Sequence, residues 1–366
     1  MPKMLGLFLL LATVSIAWSA YPGASALGVL AQWCTTAAAV LIALYLGWEQ
    51  LLRALADALR WVLGLSFLFE LIVAIFVRQP VLPFFTDYGH RKVPQAFYWS
   101  RDVLVHGGQI QGILGNSNLL AMCALLGLIV FGIQLADRRV RRGPGIAWIV
   151  VAVAALALTR SSTVVIATVV TIAVLVFVLA ARFARPDRRG PVYLVAIAVA
   201  AAASASVWLA WDRILAIFGK SEDLTGRLDI WHAVIAHAVQ RPAFGWGWVS
   251  YWAPWAEPFK HMAVRKGVTY LQAHDAWLDV WLQIGIVGLV IFALLVATTL
   301  VRAWFLAVDR PRVGLDDNQP FTALALLPLL VLAALLAQSA AESRLLVEAG
   351  WTLLVVFSVK TKLARP

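Results

Sequence analysis

The sequence is poor in charged residues. Only 13% of its 366 residues are Asp, Glu, Lys or Arg, whereas 62% are hydrophobic. A soluble domain has roughly 25% charged and about 45–50% apolar residues. The shortage of charge therefore excludes a soluble globular protein and indicates an integral membrane protein.

Cysteine and nucleotide-binding motifs are also scarce. The two cysteines, Cys34 and Cys123, both fall in apolar runs, so we interpret them as small core residues rather than as a disulfide or metal ligands. No Gly-rich phosphate loop is present. The apolar run Leu5–Ala17 resembles a signal peptide, but Ala24–Leu46 follows almost at once, and we therefore predict a retained first helix.

Ten apolar segments are long enough to be transmembrane helices. Their approximate bounds are 4–20, 24–47, 58–77, 115–135, 145–159, 162–182, 191–211, 275–306, 321–338 and 345–360. We predict an all-α integral membrane fold of about ten transmembrane helices, in which residues 1–366 form a single polytopic domain. Two long polar stretches interrupt it, a first polar loop at 78–114 and a second polar loop at 212–273, which we expect to contain amphipathic helices.

Basic residues are distributed unevenly among the segments between these spans. If the N-terminus is cytoplasmic, 17 of the 30 Lys and Arg residues fall in short segments on the cytoplasmic side. The positive-inside rule then predicts that both termini are cytoplasmic and both polar loops are extracytoplasmic. The net charge of +11 is explained by basic residues that set the membrane orientation and contact anionic lipids. We therefore predict no nucleic-acid partner.

The predicted cytoplasmic segments are short and lack a nucleotide motif, whereas all six histidines fall on the predicted outer side. Chemistry is therefore expected outside, where nucleotides are not normally supplied. A donor would have to arrive already attached to a carrier, most plausibly a lipid.

The second polar loop contains a helical pattern. Thr225 is a fair N-cap, and Arg227 then falls in the first turn, where backbone N–H groups and a guanidinium would meet an anion. Alternatively, Arg227 pairs with Asp223 or Asp229, or reaches a lipid headgroup. Apolar residues after Thr225 recur at helical spacing and predict an amphipathic surface helix that ends near Arg241-Pro242: Leu228, Trp231, Ile235, Ala238 and Val239.

A segment rich in glycine and tryptophan follows. Gly245 and Gly247 permit a tight turn and a close backbone approach. Trp246 and Trp248 are weak candidates for contacts with sugar rings, and as a group the tryptophans favour an aromatic belt at the membrane interface.

His274 lies where the second polar loop enters the next span. There it is placed to act as a general base at the membrane surface, or else it is a hydrogen-bonded interfacial histidine. On a helix His274 would share a face with Leu278, and Asp275 would share another with Asp279. Asp275 is a weak candidate for contact with the glycan or acceptor.

Other polar residues stand at the ends of the spans. Arg160, between two spans, is a functional hypothesis because it lies so near the hydrocarbon, and snorkelling to the headgroups is the alternative. Asn118 could bond between helices, and Glu342 and Arg344 could form an internal ion pair. Glu70 lies within an apolar run and is expected to have a partner, which the sequence does not identify.

Four motifs together resemble the O-antigen ligase and polymerase superfamily, bacterial membrane glycosyltransferases that use polyprenyl-linked glycans. The resemblance runs from about Gly115 to Gly288. Asp275 stands where ligases often have Asn, Ser or Gln, which leaves the fine substrate assignment open. Ligases commonly have about twelve spans and this sequence has ten, which leaves the choice between ligase and polymerase open. The motif residues are Gly115 and Asn118; Arg160; Thr225, Gly226, Arg227, Trp231, Pro242, Gly245 and Gly247; and His274, Asp275, Gly285 and Gly288.

The resemblance implies a GT-C-like, metal-independent, inverting glycosyltransferase without a cofactor. Its donor would be a glycan on undecaprenyl pyrophosphate or a related lipid, and its acceptor a hydroxyl of a lipid, a glycan or a protein. It would act on the outer face of a bacterial cytoplasmic membrane in the assembly of cell-surface polysaccharide. Carried over by motif, Arg160 and Arg227 would bind pyrophosphate and His274 would be the base. Arg265 is a further phosphate candidate by position and charge.

Two other classes remain as alternatives. A transporter or flippase for lipid-linked glycans should carry polar residues through its spans or an internal repeat, yet apart from Glu70 and Glu348 the spans are apolar. A metal-dependent transferase that uses polyprenyl monophosphate sugars would need an acidic pair early on the outer side, but Tyr21–Ser25 contains no carboxylate. Within the superfamily, a ligase, a polymerase and a protein O-oligosaccharyltransferase all remain possible.

Overall fold

The computed structural model describes residues 1–86, 93–209, 222–265, 268–309 and 320–364. These residues are mainly helical. Two short strands, β1 (Val264–Arg265) and β2 (Val268–Thr269), pair antiparallel. The helices are α1 (Lys3–Val14), α2 (Pro22–Tyr45), α3 (Trp48–Ile72), α4 (Ser117–Ala136), α5 (Arg142–Thr159), α6 (Ser162–Phe183), α7 (Gly190–Leu209), α8 (Glu222–Ala238), α9 (Phe259–Met262), α10 (Ala276–Val308), α11 (Leu327–Ser339) and α12 (Glu348–Leu363).

Each of the ten apolar segments coincides with a helix. Among the described residues, seven helices are long and apolar enough to cross a membrane: Pro22–Tyr45, Trp48–Val77, Ser117–Ala136, Arg142–Thr159, Ser162–Phe183, Pro186–Ser206 and Ala276–Val308. Lys3–Trp18 and Ala323–Ser339 are apolar but shorter, and α12 has 16 residues. The described part of the chain is therefore mainly helical with multiple candidate spans, as in an α-helical membrane protein, and ten crossings remain a prediction.

Helix α10 lies at the centre of the bundle, where it packs against α1, α6, α8, α11 and α12. One aromatic contact set illustrates the core: Phe8 of α1 meets Phe292 of α10, Trp351 of α12 and Trp248 of the second polar loop, with ring centroids 5.2–5.8 Å apart. Outward-facing side chains of α2, α6 and α7 are largely aliphatic, as expected for helices that contact lipid. Cys34 is exposed on α2 rather than in the core, and both cysteines are free.

Helix α10 is broken at Ile284 and Gly285, where φ and ψ leave the helical region. The carbonyls of Leu282 and Gln283 accept from the N–H groups of Trp246 and Gly247, at 3.0 and 2.8 Å. On the other side of the break, the N–H of Ile286 donates to the carbonyl of Pro242 at 2.8 Å. The loop at 242–247 thus satisfies the backbone groups that the break frees, as buried irregular backbone requires.

Glycine at position 285 is what allows this contact. Its φ is +69°, and a Cβ there would lie 2.2 Å from the carbonyl oxygen of Ala243. On the loop side, a Cβ at Gly245 would lie 2.5 Å from the carbonyl carbon of Gln283. We expected Gly285 and Gly288 to admit a neighbouring helix. The structure corrects this expectation: Gly285 admits the loop, and a Cβ at Gly288 would meet the side chain of Ile284 within α10 itself.

The first polar loop is anchored by Glu70 of α3, whose partners the sequence did not reveal. Its carboxylate accepts from the hydroxyl of Ser100 at 2.8 Å and from the N–H groups of Gln111 and Gly112 at 3.0 and 2.8 Å. Glu70 is 1% exposed. These bonds fix the chain just before α4 and so set the position of Asn118.

Candidate active site

The second polar loop contributes Arg227 from α8. This helix begins at Glu222, three residues before Thr225, so Thr225 is not its N-cap and Arg227 lies in the second turn instead of the first. The buried face of α8 is formed by Ile230, Val234 and Ala238, and this spacing of four residues turns Arg227 toward the start of α6. There its Nη1 lies 3.4 Å from the Thr163 hydroxyl.

His274 is held immediately before α10. Its backbone is in the left-handed region (φ 53°), and it therefore lies outside the helix on which we predicted it. Asp275 is the N-cap of α10, and its Oδ1 accepts from the N–H groups of Trp277 and Leu278 at 2.8 and 2.9 Å. The structure thus gives Asp275 a capping role, and the predicted contact with glycan or acceptor is untested.

Asp279 joins two segments of the chain that lie next to the site. It is 1% exposed, and its carboxylate accepts from Trp252 Nε1 at 2.7 Å, from the N–H of Ala273 at 3.0 Å and from the hydroxyl of Ser343. Ala273 precedes His274, and Ser343 follows Glu342. One buried carboxylate therefore fixes the backbone next to each of these two residues.

Glu342, between α11 and α12, is the centre of the site. Its Oε2 lies 3.0 Å from His274 Nδ1 and 3.3 Å from Gln272 Nε2. Its Oε1 lies 3.1 Å from Arg227 Nη2 and 3.3 Å from Asn118 Nδ2. We call these five residues the Glu342 cluster. At the sequence level Glu342 was only one member of a possible ion pair with Arg344, because its partners are 68 to 224 positions away in the chain.

The charge of Glu342 is stabilised by its neighbours. Burial acts to raise the pKa of its carboxyl, but the hydrogen bond and charge of His274 and the guanidinium charges of Arg227 and Arg344 outweigh burial. The pKa of Glu342 therefore lies below its ordinary value of 4.5. The carboxylate is ionised at neutral pH and can only accept hydrogen bonds.

The protonation of the His274 ring follows from this partner. Since an ionised carboxylate cannot donate, Nδ1 of His274 must carry the hydrogen, which in the neutral ring leaves the lone pair on Nε2. Within the described residues, Nε2 makes no hydrogen bond. The ring also packs against the edge or face of Tyr270, at 5.4 Å between centroids. Its side chain is 17% exposed.

Arg160 lies next to the Glu342 cluster. The adjacent Ser161 caps α6 and donates its hydroxyl to Asn118 Oδ1 at 2.7 Å. Arg160 itself is exposed, and a Cβ at Gly107 would lie 3.8 Å from its Nη2. Its guanidinium makes no hydrogen bond or ion pair to any residue that the structure describes. The structure therefore brings Arg227 and His274 together on one carboxylate and leaves Arg160 as a nearby cation without a hydrogen-bond or ion-pair partner among the described residues.

The remaining candidates differ in placement. The side chain of Arg265 lies outside the described part of the structure, although its backbone belongs to β1. Trp246 is half-buried, donates to the carbonyl of His237 at 3.0 Å and stacks under Arg241 at 4.3 Å. Trp248 is fully buried in the core against Phe8. This burial leaves no face of Trp248 open to a sugar ring.

The arrangement places a histidine beside two arginine side chains. All members of the Glu342 cluster lie at the end of the bundle where α4, α6 and α10 begin and α11 ends, which we call the site end. A hydroxyl could lose its proton to His274 while Arg227 and Arg160 hold negative charge. Among the described residues, no group of three or more His, Cys, Asp or Glu is placed to hold a metal ion.

Comparison with known proteins finds a family model that matches part of the chain. Residues 146–293 match a family model described as O-Antigen ligase, a range that contains Arg160, Arg227 and His274. No curated protein matches the chain. The match confirms the resemblance to the O-antigen ligase and polymerase superfamily. It supports a role of that general type, a transferase-like activity, and a multi-pass protein in a bacterial membrane.

Proposed function

We propose that this chain, whose O-antigen ligase match carries the base and both cations of the site, is a metal-independent inverting glycosyltransferase. It moves a glycan from a polyprenyl pyrophosphate, such as undecaprenyl pyrophosphate, to a hydroxyl acceptor in the assembly of cell-surface polysaccharide. The observation that carries the proposal is the contact of Glu342 with both His274 and Arg227, at 3.0 and 3.1 Å.

The chemistry is a single displacement. Nε2 of His274 takes the proton of the acceptor hydroxyl, and the hydroxyl oxygen forms a bond to the anomeric carbon. The bond between that carbon and the pyrophosphate oxygen breaks, and its electron pair stays on the leaving polyprenyl pyrophosphate. Because the attacking oxygen and the leaving group are on opposite faces of the carbon, the configuration inverts. Pyrophosphate leaves readily, so one base together with charge stabilisation is sufficient.

The cations have separate positions in this mechanism. Arg227 lies within the cluster and is 15% exposed, so it would hold the phosphate nearer the reacting carbon. Arg160 is exposed beside Gly107 and would hold the second phosphate. Arg265 remains a third candidate. We place the glycan or acceptor near Asp275 and Trp246, both at the site end, and leave Trp248 out because it is buried.

We also propose that the site faces the exterior, with both termini in the cytoplasm and with residues 78–114 and 212–273 as extracytoplasmic loops of one membrane domain. The basic segments 138–142 and 182–189 support this orientation. They lie at the opposite end of the bundle from the Glu342 cluster, since α4 and α6 run from the site end to these segments.

Replacement of His274 by Ala tests the function. We expect the purified variant to bind lipid-linked donor normally and to transfer glycan at least about 100-fold more slowly, since general-base catalysis contributes roughly 10²–10⁴-fold. The matched control is His261→Ala, at an exposed histidine of the same loop (72% exposed side chain), which should transfer at the rate of the unmodified protein. Full activity of His274→Ala contradicts the base assignment, and inhibition by a chelator contradicts metal independence.

Mass spectrometry of envelope glycans from a deletion strain distinguishes the acceptors. Accumulated full-length lipid-linked glycan indicates a ligase, and loss of chain length indicates a repeat-unit polymerase. Loss of glycan from proteins alone indicates a protein O-oligosaccharyltransferase. An inactive purified protein that moves lipid-linked glycan between leaflets would instead support the transporter.

A further inference from the structure

The two oxygens of Glu342 serve two groups that have different tasks in the proposed reaction. Oε2 holds His274, the base, and Oε1 holds Arg227, the cation for the leaving group. Glu342 is 6% exposed, so little water shares in these bonds. Any ligand that takes Arg227 away from Oε1 must therefore change the charge that His274 experiences.

We propose that Glu342 is the positioning residue for His274 and that it releases Arg227 to the pyrophosphate when the donor binds, so that His274 becomes a stronger base only with donor in place. This inference rests on the proposed function. It adds that donor binding and activation of the acceptor hydroxyl are coupled through one carboxylate.

The positioning step follows from the hydrogen bond between His274 and Glu342. The carboxylate accepts from Nδ1, and the lone pair is then on Nε2, which faces away from Glu342 on the other side of the ring. The carboxylate also stabilises the imidazolium that forms when Nε2 takes the proton, as the carboxylate does in Ser-His-Asp triads. Asp279 supports this geometry because it fixes Ala273 and Ser343 on either side.

The release step follows from competition for Arg227. Among the described side chains, the guanidinium contacts one oxygen of Glu342 at 3.1 Å and the Thr163 hydroxyl at 3.4 Å. Within this part of the chain it makes no bidentate contact, the geometry in which a guanidinium binds phosphate. A pyrophosphate carries more charge and more acceptor oxygens than one carboxylate. Once Arg227 has turned to it, Glu342 no longer shares its charge with that cation, and the imidazolium is stabilised by both anions.

The other charges around the pair are known. Arg344 follows on the same turn and donates to Tyr251 and to Glu348 at 3.0 Å. Arg160 lies beyond Ser161 and Asn118. Among described residues these are the cations that would still face the site after Arg227 has moved, and both remain when the donor binds. A change in the protonation of His274 on donor binding therefore combines the departure of Arg227 from Glu342 with the direct charge of the pyrophosphate, and the Glu342→Gln variant separates the two.

The test measures protonation without turnover. The full chain in nanodiscs is treated with diethyl pyrocarbonate, which reacts with a histidine only in its unprotonated form. Modification at His274 is quantified by peptide mass spectrometry as pH is varied. Inorganic pyrophosphate serves as the probe for the donor. We expect Glu342→Gln to move the pH midpoint down by about one unit or more, because the imidazolium loses its anion. The acidic limb of the transfer rate should move in the same direction.

Two further results test the release of Arg227. Pyrophosphate should raise the midpoint in the unmodified protein, and Arg227→Gln should raise it without pyrophosphate, because in both cases Glu342 loses its second cation. In Glu342→Gln the response to pyrophosphate should shrink, since only the direct charge of pyrophosphate remains. An equal response in the two proteins, or no effect of Arg227→Gln, overturns the release.

Controls keep the outcomes separate. Glu257→Gln removes an exposed carboxylate of the same loop whose ion-pair partner is His261, and it should leave the His274 midpoint unchanged. Glu342→Asp is the second variant, used if Glu342→Gln does not fold. It retains the negative charge, so the pH midpoint of His274 should stay close to that of the unmodified protein. Equal midpoints for the unmodified protein and Glu342→Gln overturn the positioning role. If the midpoints move as expected but no glycan is transferred, the proposed function fails and the coupling stands.

Discussion

His274 is held in a conformation that costs free energy. A left-handed φ of 53° at a residue other than glycine costs roughly 1–3 kcal/mol and persists only where surrounding bonds enforce it. Here Asp275 caps α10 on one side, and Asp279 binds the N–H of Ala273 on the other. These two carboxylates direct the imidazole away from the helix axis and toward Glu342.

Arg227→Lys tests the need for a planar guanidinium at the centre of the site. Arg227 contacts Glu342 and Thr163 through different nitrogens, which a single ammonium cannot reproduce. We expect kcat/KM for the lipid-linked donor to fall at least about tenfold, measured by transfer from a radiolabelled donor. Arg188→Lys, at an exposed arginine beyond the far end of α6 (76% exposed side chain), is the matched control. Unchanged kcat/KM for Arg227→Lys would leave Arg227 as a structural ion pair only.

The sequence identified some members of the site and missed its centre. Arg227 and His274, which both contact Glu342 in the structure, were singled out because each stands in a motif beside a polar break, a feature that is local in the chain. Glu342 has no such signal. Its partners come from α4, α8 and the segment before α10, and only the packing of separate helices brings them together. Asp279 was correctly placed on a helix. Its hydrogen-bond partners were not predicted, because they too come from separate parts of the chain.

Among the elements, the broken helix α10 and the loop at 242–247 form one unit. The first eight residues of α10, from Ala276 to Gln283, are tied to that loop by backbone hydrogen bonds from Trp246 and Gly247. The Gln283 side chain adds to this, since its Oε1 accepts from the N–H groups of Val249 and Ser250 at 2.8 and 3.0 Å. The short segment that carries Asp275 and Asp279 is therefore fixed independently of the longer part of α10.

Gly285→Ala tests this unit. A methyl group there would lie 2.2 Å from the Ala243 carbonyl oxygen. The residue has φ +69° and ψ −172°, a region essentially restricted to glycine, which for an L-residue costs roughly 1–3 kcal/mol before any displacement of the loop. We expect a lower unfolding temperature and a loss of transfer. Gly132→Ala in α4 is the control, because no atom lies within 4 Å of its Cβ and a helical Gly→Ala change stabilises by roughly 0.5–1 kcal/mol. Equal unfolding temperatures for the two variants would contradict a close-packed break.

Helix positions were well predicted, and the structure of the loops was not. A run of about 20 apolar residues is a strong signal, so all ten segments coincide with helices, and seven of them agree to within a few residues. Helix α3 begins ten residues earlier than predicted, α1 ends six residues earlier, and α11 begins six residues later. The start of α8 was missed because Thr225 has the chemistry of a cap, yet the helix continues back to Glu222. The predicted buried face of α8 was also partly wrong, because the side chains of Val239 and Ile235 are 55% and 37% exposed.

For the whole molecule, polar contacts collect at the two ends of the bundle. The end opposite the site is tied by Arg189 to Asp309 at 2.6 Å and by Asp137 to the N–H of Ala323 at 2.7 Å. The site end carries the Glu342 cluster. The interior between them is mainly aliphatic and aromatic. This separation supports an enzyme at one membrane face rather than a transporter, which would need polar groups along a path between the faces.

Cysteine labelling tests which end faces the exterior. His261→Cys and Arg188→Cys place single exposed thiols near the site end and at the opposite end, respectively. If the basic end is cytoplasmic, a membrane-impermeant maleimide should label His261→Cys in intact bacterial spheroplasts and Arg188→Cys only after permeabilisation. The unmodified chain gives the background from Cys34 and Cys123, which lie within the helices. The reverse pattern would put His274 on the cytoplasmic side, where nucleotide-activated sugars are available. A donor linked to a lipid is inferred from an extracytoplasmic site, and that inference would then fail.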